Sequence, residues 1–240
     1  MKALNRVGAT RTMEDFIGFT LSLASNAEED LKPVYSVVPN LPLNEWTAAD
    51  LQGYRGDGPV RVGNAAVDQK QHDTYGSAIL AALPLFFDRR LPRPGDESLF
   101  VLLESLGDSR VAMTSDAGIW EYRGRQRVHT HSAAMCWAGV NRLAAIAERL
   151  GLPERAAHWN AIADPLHAEL IDRAWNSKRE AFTAGFGSDD LDASVLLLPE
   201  LGVCEVDDPR FIKTVAAMER ELLREKHMMR YAAEDASVFP

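Results

Sequence analysis

Cysteine is nearly absent. Cys136 and Cys204 are the only two in 240 residues, too few and too far apart for a disulfide framework. Long apolar runs are missing as well: none approaches the ~18 residues that span a bilayer, and no membrane partner is expected. Met1-Lys2-Ala3-Leu4-Asn5-Arg6 has no apolar stretch of the secretory kind, so the cytoplasm is the expected compartment. Positive charge is in short supply, 26 Lys and Arg against 35 Asp and Glu for a net charge of −9. With no basic stripe to neutralise phosphates, nucleic acid is not an expected partner.

Several site chemistries are also missing. None of the six histidines stands in a His-x-x-x-His pair followed by Glu, so no metal site is expected. Asp189-Asp190-Leu191-Asp192 lacks the glycine and closing Glu of a calcium loop and reads as a loop feeding a helix cap. Gly53-Tyr54-Arg55-Gly56-Asp57-Gly58 lacks the Gly-Lys-Ser/Thr ending of a phosphate loop, and no Gly-x-Ser-x-Gly elbow is present. No cofactor is expected.

What is there is mostly helical. Thr12 reads as an N-cap with Glu14 and Asp15 in the first turn, followed by a run around Phe16, Ile17 and Phe19 that is apolar on most sides. From Pro33 to Gly63, prolines and glycines leave no room for a long helix, and only Val34–Val38 suggests a strand. Asn64 to about Leu83 reads as one helix with Asp68, Gln71 and Tyr75 on one face. A buried helix follows from Ser98 to Leu106. Ser132 to Leu150 is apolar nearly all round and must be covered on every side. Pro153 opens an amphipathic helix through Ala156, Trp159, Ala163, Leu166 and Leu170. Asp208-Pro209 caps another. Fully buried helices alternating with one-sided ones, about seven in all, imply two concentric helical layers.

Asp116-Ala117-Gly118-Ile119-Trp120-Glu121-Tyr122-Arg123-Gly124 is the stretch best suited to chemistry. It sets a carboxyl beside an indole, where partial desolvation raises a carboxyl towards the proton-donating range. A Trp-backed carboxyl is half of the equipment for cleaving a glycosidic bond. A surface loop with a structural Trp is the plain alternative.

The wider text resembles bacterial members of the glucoamylase family, glycoside hydrolase family 15. The resemblance is carried by Gly53-Tyr54-Arg55-Gly56, by Pro59 to Ala66, by Gln69-x-Gln71-x-Asp73-x-Tyr75-Gly76 and by Asp116-x-Gly118-Ile119-Trp120-Glu121-x-Arg123. Ser132 to Arg142, Leu191-Asp192-Ala193-Ser194, Arg230-Tyr231 and Glu234-Asp235 extend it in the family's order. It implies an all-α fold, an (α/α)6 barrel of six inner and six outer helices, and a hydrolase of carbohydrate metabolism that inverts the anomeric carbon. Glu121 would be the general acid. Trp120 and Arg123 would shape its surroundings, with Asp116, Asp73, Tyr75, Arg230 and Tyr231 contacting sugar. The substrate would be an oligosaccharide or disaccharide of glucose.

The family's Arg-Asp pair, which grips the sugar, precedes the segment resembling Ala3-Leu4-Asn5-Arg6, and its base lies well beyond the Arg-Tyr motif. Residues 1–240 are therefore expected to form one fragment of the catalytic domain, an incomplete barrel without the general base, with residues 33–63 as a long loop lining the active-site end. Uncovered inner-helix faces would favour self-association or a completing chain. A non-catalytic helical remnant, or a module that binds sugar or a partner, is the alternative.

Overall fold

The computed structural model describes residues 1–25, 30–38, 41–107, 112–122 and 126–232. Three short helices and six longer ones make up most of it. In chain order come α1 (Lys2–Arg6), α2 (Thr10–Ser25), α3 (Asp73–Ala82), α4 (Pro84–Phe87), α5 (Glu97–Ser105), α6 (Thr130–Leu150), α7 (Pro153–Ala174), α8 (Leu198–Leu201) and α9 (Pro209–Leu222). Three two-residue antiparallel pairs punctuate them: β1 (Trp46–Thr47) with β2 (Arg61–Val62), β3 (Trp175–Asn176) with β4 (Ala181–Phe182), and β5 (Leu223–Arg224) with β6 (His227–Met228). Among the described residues no helix is long and apolar enough to cross a membrane.

The expected layering is present. In α6, 15 of 21 residues are buried, whereas α7 buries six of 22, which makes α6 an inner helix and α7 an outer one. Gly151, in the left-handed conformation, closes α6 and lets the chain turn directly into α7. The six buried residues of α7 include Ala156, Trp159, Ala163, Leu166 and Leu170, the stripe that the sequence spacing marks out. Glu104 of α5 secures the outer layer, accepting from Trp159 Nε1 at 2.7 Å and pairing with Arg155.

Two glycines bring the inner helices α3 and α6 together. A Cβ on Gly76 would overlap the Met135 carbonyl, and one on Gly139 would lie 3.1 Å from the Gly76 Cα. The backbones touch with no side chain between them, and α3 and α6 form one of the heaviest packing contacts in the molecule. This is the inner–outer architecture of an (α/α)6 barrel, of which the described helices form a part.

Four local expectations fail, each for a tertiary or local polar reason. The helix expected over Asn64–Leu83 is two pieces: Asn64 accepts from Ala66 N at 2.9 Å and closes a short 3-10 turn over Ala65–Asp68, and Gln69 is extended. The chain is drawn aside there because the Lys70 carbonyl accepts from Ala117 N at 2.9 Å and Gln69 Nε2 donates to the Glu121 carbonyl at 3.2 Å. Asp68, Gln71 and Tyr75 consequently share no helix face. The strand expected at Val34–Val38 is irregular, because Tyr35 and Ser36 side-chain oxygens take the backbone N–H groups of Lys32 and Val38.

α2 begins at Thr10 rather than after Thr12, and Glu14 serves tertiary packing instead of the helix start, accepting from Arg93 N at 3.1 Å. Nor is α2 covered on most sides. Met13 and Ile17 are buried, while Phe16 and Phe19 are 48% and 38% exposed. Among its described residues α2 packs on α1 and α3, with Phe16 and Phe19 left partly open.

Gly76→Ala is expected to lower unfolding free energy by about 1–3 kcal/mol, the range for overpacking a rigid contact. Gly18→Ala, at a helical site where a Cβ meets nothing within 4 Å, should instead gain up to ~1 kcal/mol. Urea titration of both variants checks the contrast.

Candidate active site

The stretch from Asp116 to Tyr122 is an ordered loop stitched down on both sides. Asp116 pairs with Arg127 through two backbone hydrogen bonds, of 3.0 and 3.3 Å. Glu121 N donates to the Gly118 carbonyl at 3.0 Å, and Tyr122 N to the Ala117 carbonyl at 3.2 Å, closing a tight turn. Gly118 sits at φ 69°, where a Cβ would come within 2.7 Å of the His129 ring. Glu121 itself takes a left-handed backbone, φ 56°, a conformation that costs a non-glycine residue about 1–2 kcal/mol. The surrounding bonds hold it there, with its side chain exposed. The desolvation expected for Glu121 is therefore not provided by the described residues. Burial falls instead on the carboxyls beneath it.

The most buried of these is Asp116, at 0% exposure. Its Oδ2 accepts from His72 N, at the start of α3, and from Ser132 Oγ, in the first turn of α6, both at 2.8 Å. One carboxylate thus ties together the N-terminal ends of two inner helices. Burial raises Asp116 above the usual carboxylate range, opposed by the hydrogen bonds from His72 and Ser132. Asp73, the first residue of α3, is 9% exposed and is pushed up to about 6, first by burial and then by the charge of Asp116.

On the other flank, Trp120 Nε1 donates to both oxygens of Asp192, at 3.0 and 2.9 Å, which fixes the indole beside Glu121. Asp192 also caps the 3-10 helix Ala193–Leu197, accepting from Ser194 N at 2.8 Å. Arg230 lies with its guanidinium carbon 5.2 Å from the Trp120 ring and 5.8 Å from the Tyr231 ring. Tyr231 packs on Tyr122, and Tyr122 stacks on His129 with 5.7 Å between centroids. An exposed carboxyl beside a clamped indole and a stacked guanidinium can meet a polar ligand with a proton donor and with hydroxyl-binding N–H groups.

The structure brings Glu121, Trp120, Asp116, Arg230 and Tyr231 to one end of the inner helices, with Asp73 at the start of α3 below the loop. It does not bring Tyr75, whose hydroxyl accepts from Leu31 N and donates to Asp30, both at 3.2 Å. Burial pushes that phenol up to about 12. Tyr75 fastens the segment at 30–31 to α3. Arg123, Glu234 and Asp235 lie outside the described residues. Among the described residues no group of three or more His, Cys, Asp or Glu could hold a metal ion.

A cleft of about 790 Å³, walled by α1, α2, α3, α6 and α8, reaches Ile119 of the loop, Asp73 and His131. That volume lies within the ~300–1,000 Å³ of small-molecule sites. His131 was not singled out from the sequence. The available signal was an ionisable residue in the opening turn of an otherwise apolar helix.

The sequence profile of Glycosyl hydrolases family 15 matches residues 1–238. The chain is 35% identical to a trehalase of Mycobacterium tuberculosis over 97% of its own length and 34% of that protein's. It is 28% identical to a trehalase of Thermoplasma volcanium over 98% and 37%. The chain thus spans about a third of the length of these curated relatives. A crystal structure of a bacterial glucoamylase complexed with acarbose superposes with a TM-score of 0.51, over 68% of this chain and 27% of that one, at 19% identity. That is a likeness of fold.

The buried Asp73 makes stability depend on pH. Its folded pKa of about 6 lies above the ordinary 3.8, so the folded state holds this proton more tightly. Its contribution is most favourable below pH ~4 and is lost as pH rises through ~6. Relative to Asp73→Asn, the parent chain should lose up to ~3 kcal/mol between pH 4 and 7. Urea unfolding of the pair across that range measures the difference.

Proposed function

Because this chain belongs to glycosyl hydrolase family 15, matched over residues 1–238, we propose that it carries the proton-donating part of an α-glucoside hydrolase, with trehalose as substrate and Glu121 as general acid. Glu121 gives its proton to the oxygen joining the two glucose units as the C–O bond to the anomeric carbon breaks. Water adds to that carbon from the opposite face, losing a proton to a second carboxylate ~6.5–9.5 Å from the first, and the configuration inverts. No residue of this chain is assigned that second role.

One observation carries the reading: Glu121 presents an exposed carboxyl from a strained turn whose neighbour Trp120 is clamped by Asp192. Strain held in place by surrounding bonds is characteristic of sites that pre-position a group for reaction. Trehalose is preferred over other glucosides because the relatives named above are trehalases. Arg230 and Tyr231 are assigned to sugar hydroxyls on the flank of Trp120, and Asp116 to holding the loop from below. Arg123 is assigned to the surroundings of Glu121. Residues 33–63 are assigned to the rim of the site, a role supported by the link between Gln69, just beyond them, and the Glu121 carbonyl.

Glu121→Gln should cut glucose release from trehalose by about 10²–10⁴-fold, the usual worth of a general acid, with the fold intact by circular dichroism. Retention of more than a tenth of the parent rate overturns the assignment. Trehalose binding with no glucose release from the parent chain would favour a sugar-binding module.

A further inference from the structure

Asp192 stands where two distant segments of the candidate site meet. It is buried, 2% exposed. Trp120 Nε1 donates to both of its oxygens, at 3.0 and 2.9 Å, and Ser194 N donates to Oδ1 at 2.8 Å. Its backbone pairs with that of Tyr231, and Ala193 N donates to the Arg230 carbonyl at 2.8 Å. The side chain therefore fixes the indole next to Glu121, while the backbone fixes the strand of Arg230 and Tyr231. Trp120 lies 72 positions before Asp192 (192 − 120) and Arg230 lies 38 after it (230 − 192).

The chemistry of this junction favours a carboxylate. Its oxygens can only accept, and the indole and the Ser194 amide are both donors. An asparagine holding its oxygen on Ser194 N would set its amide nitrogen where Oδ2 now meets the indole. Donor would then face donor. A carboxylate on the indole N–H also pushes electron density into the ring, which favours a cation over its face. Arg230 lies there, its guanidinium carbon 5.2 Å from the ring centre. Trp120 is half-buried and Arg230 exposed, so a group withdrawn from solvent orients two that are not.

We propose that Asp192 is a positioning residue of the acid site, which sets the orientation of Trp120 through the indole N–H and the place of Arg230 through the backbone pairing. Asp192 acts through these neighbours and does not itself touch the sugar. The role rests on the glucoside reading above and adds to it a coupling between the acid loop and the Arg230–Tyr231 segment. Capping of the 3-10 helix Ala193–Leu197 is a separate task of the same carboxylate. Asparagine caps about as well as aspartate does. Asp192→Asn therefore weakens the clamp and keeps the cap.

The test is a double-mutant cycle on the 240-residue chain, with Asp192→Asn and with Trp120→Phe, which keeps a ring but has no N–H. Each single variant should lower kcat/KM for glucose release from trehalose about tenfold, as loss of a hydrogen bond to a charged group does. The double variant should stay within about threefold of either single one, since both changes remove the same interaction. The urea midpoint of Asp192→Asn should match the parent's, while its Trp120 Nε1–H proton resonance moves upfield. An unchanged kcat/KM in Asp192→Asn overturns the positioning role, and so does a double variant down about a hundredfold, the product of independent losses. Either result leaves Glu121's role standing. If Asp192→Asn does not fold, Asp192→Ser, which also caps, replaces it in the cycle. If the parent binds trehalose without turnover, the same cycle is read in Kd by titration calorimetry. Absence of both binding and turnover in the folded parent overturns the glucoside reading, and the positioning role with it.

Discussion

The buried carboxylate of Asp116 is the tie on which this end of the molecule depends. A single oxygen accepts from the backbone at the start of α3 and from Ser132 in the first turn of α6. The residue's backbone meanwhile pairs with Arg127 and begins the Glu121 loop. Position of the inner helices and position of the loop are therefore one constraint. A helix start carries unsatisfied N–H groups and a partial positive charge. A carboxylate there is stabilised even as burial works against its charge. Asp192 repeats the device on the other flank, capping the 3-10 helix Ala193–Leu197 while it holds the Trp120 indole. Two acids that cap helices thus also hold the loop that carries a third.

Close approach of the inner helices follows from the same economy of side chains. With glycine at positions 76 and 139, the α3 and α6 backbones meet directly, and the first turns of both helices fall within reach of Asp116. The helix starts that Asp116 draws together also carry Asp73 and His131 into the cleft. Burial then moves these two groups in opposite directions, raising the acid and lowering the base, because both lose their charged forms' solvation. Both are driven towards neutrality by the same cause.

Much of the fold is legible in the text because its rules are local. The all-round apolar pattern of residues 132–150 requires an inner helix, and α6 is one. The stripe from Ala156 to Leu170 requires an outer helix, and α7 is one. Asp208 before Pro209 caps α9 as read, its side chain accepting from Arg210 N at 2.8 Å. The misreadings share a cause. Asn64–Leu83 looks continuous in periodicity, yet contacts of Gln69 and Lys70 with the 116–122 loop outweigh one more turn of helix. The hydroxyl of Tyr75 takes Asp30 and Leu31 as partners, which no spacing in the sequence marks. Periodicity cannot report which polar group a distant segment will claim.

The sequence by itself determined the family, the helical layering and the acid-bearing stretch, since these reside in residue order, apolar spacing and capping chemistry. Only the tertiary structure decided that Glu121 stands exposed on a left-handed turn, and that the desolvated carboxyls are Asp73 and Asp116. It alone put His131, from a helix start 58 positions beyond Asp73 (131 − 73), into the same cleft. Burial and partnership are properties of packed helices, and the packing here turns on two glycines and one shared carboxylate oxygen that no local pattern specifies.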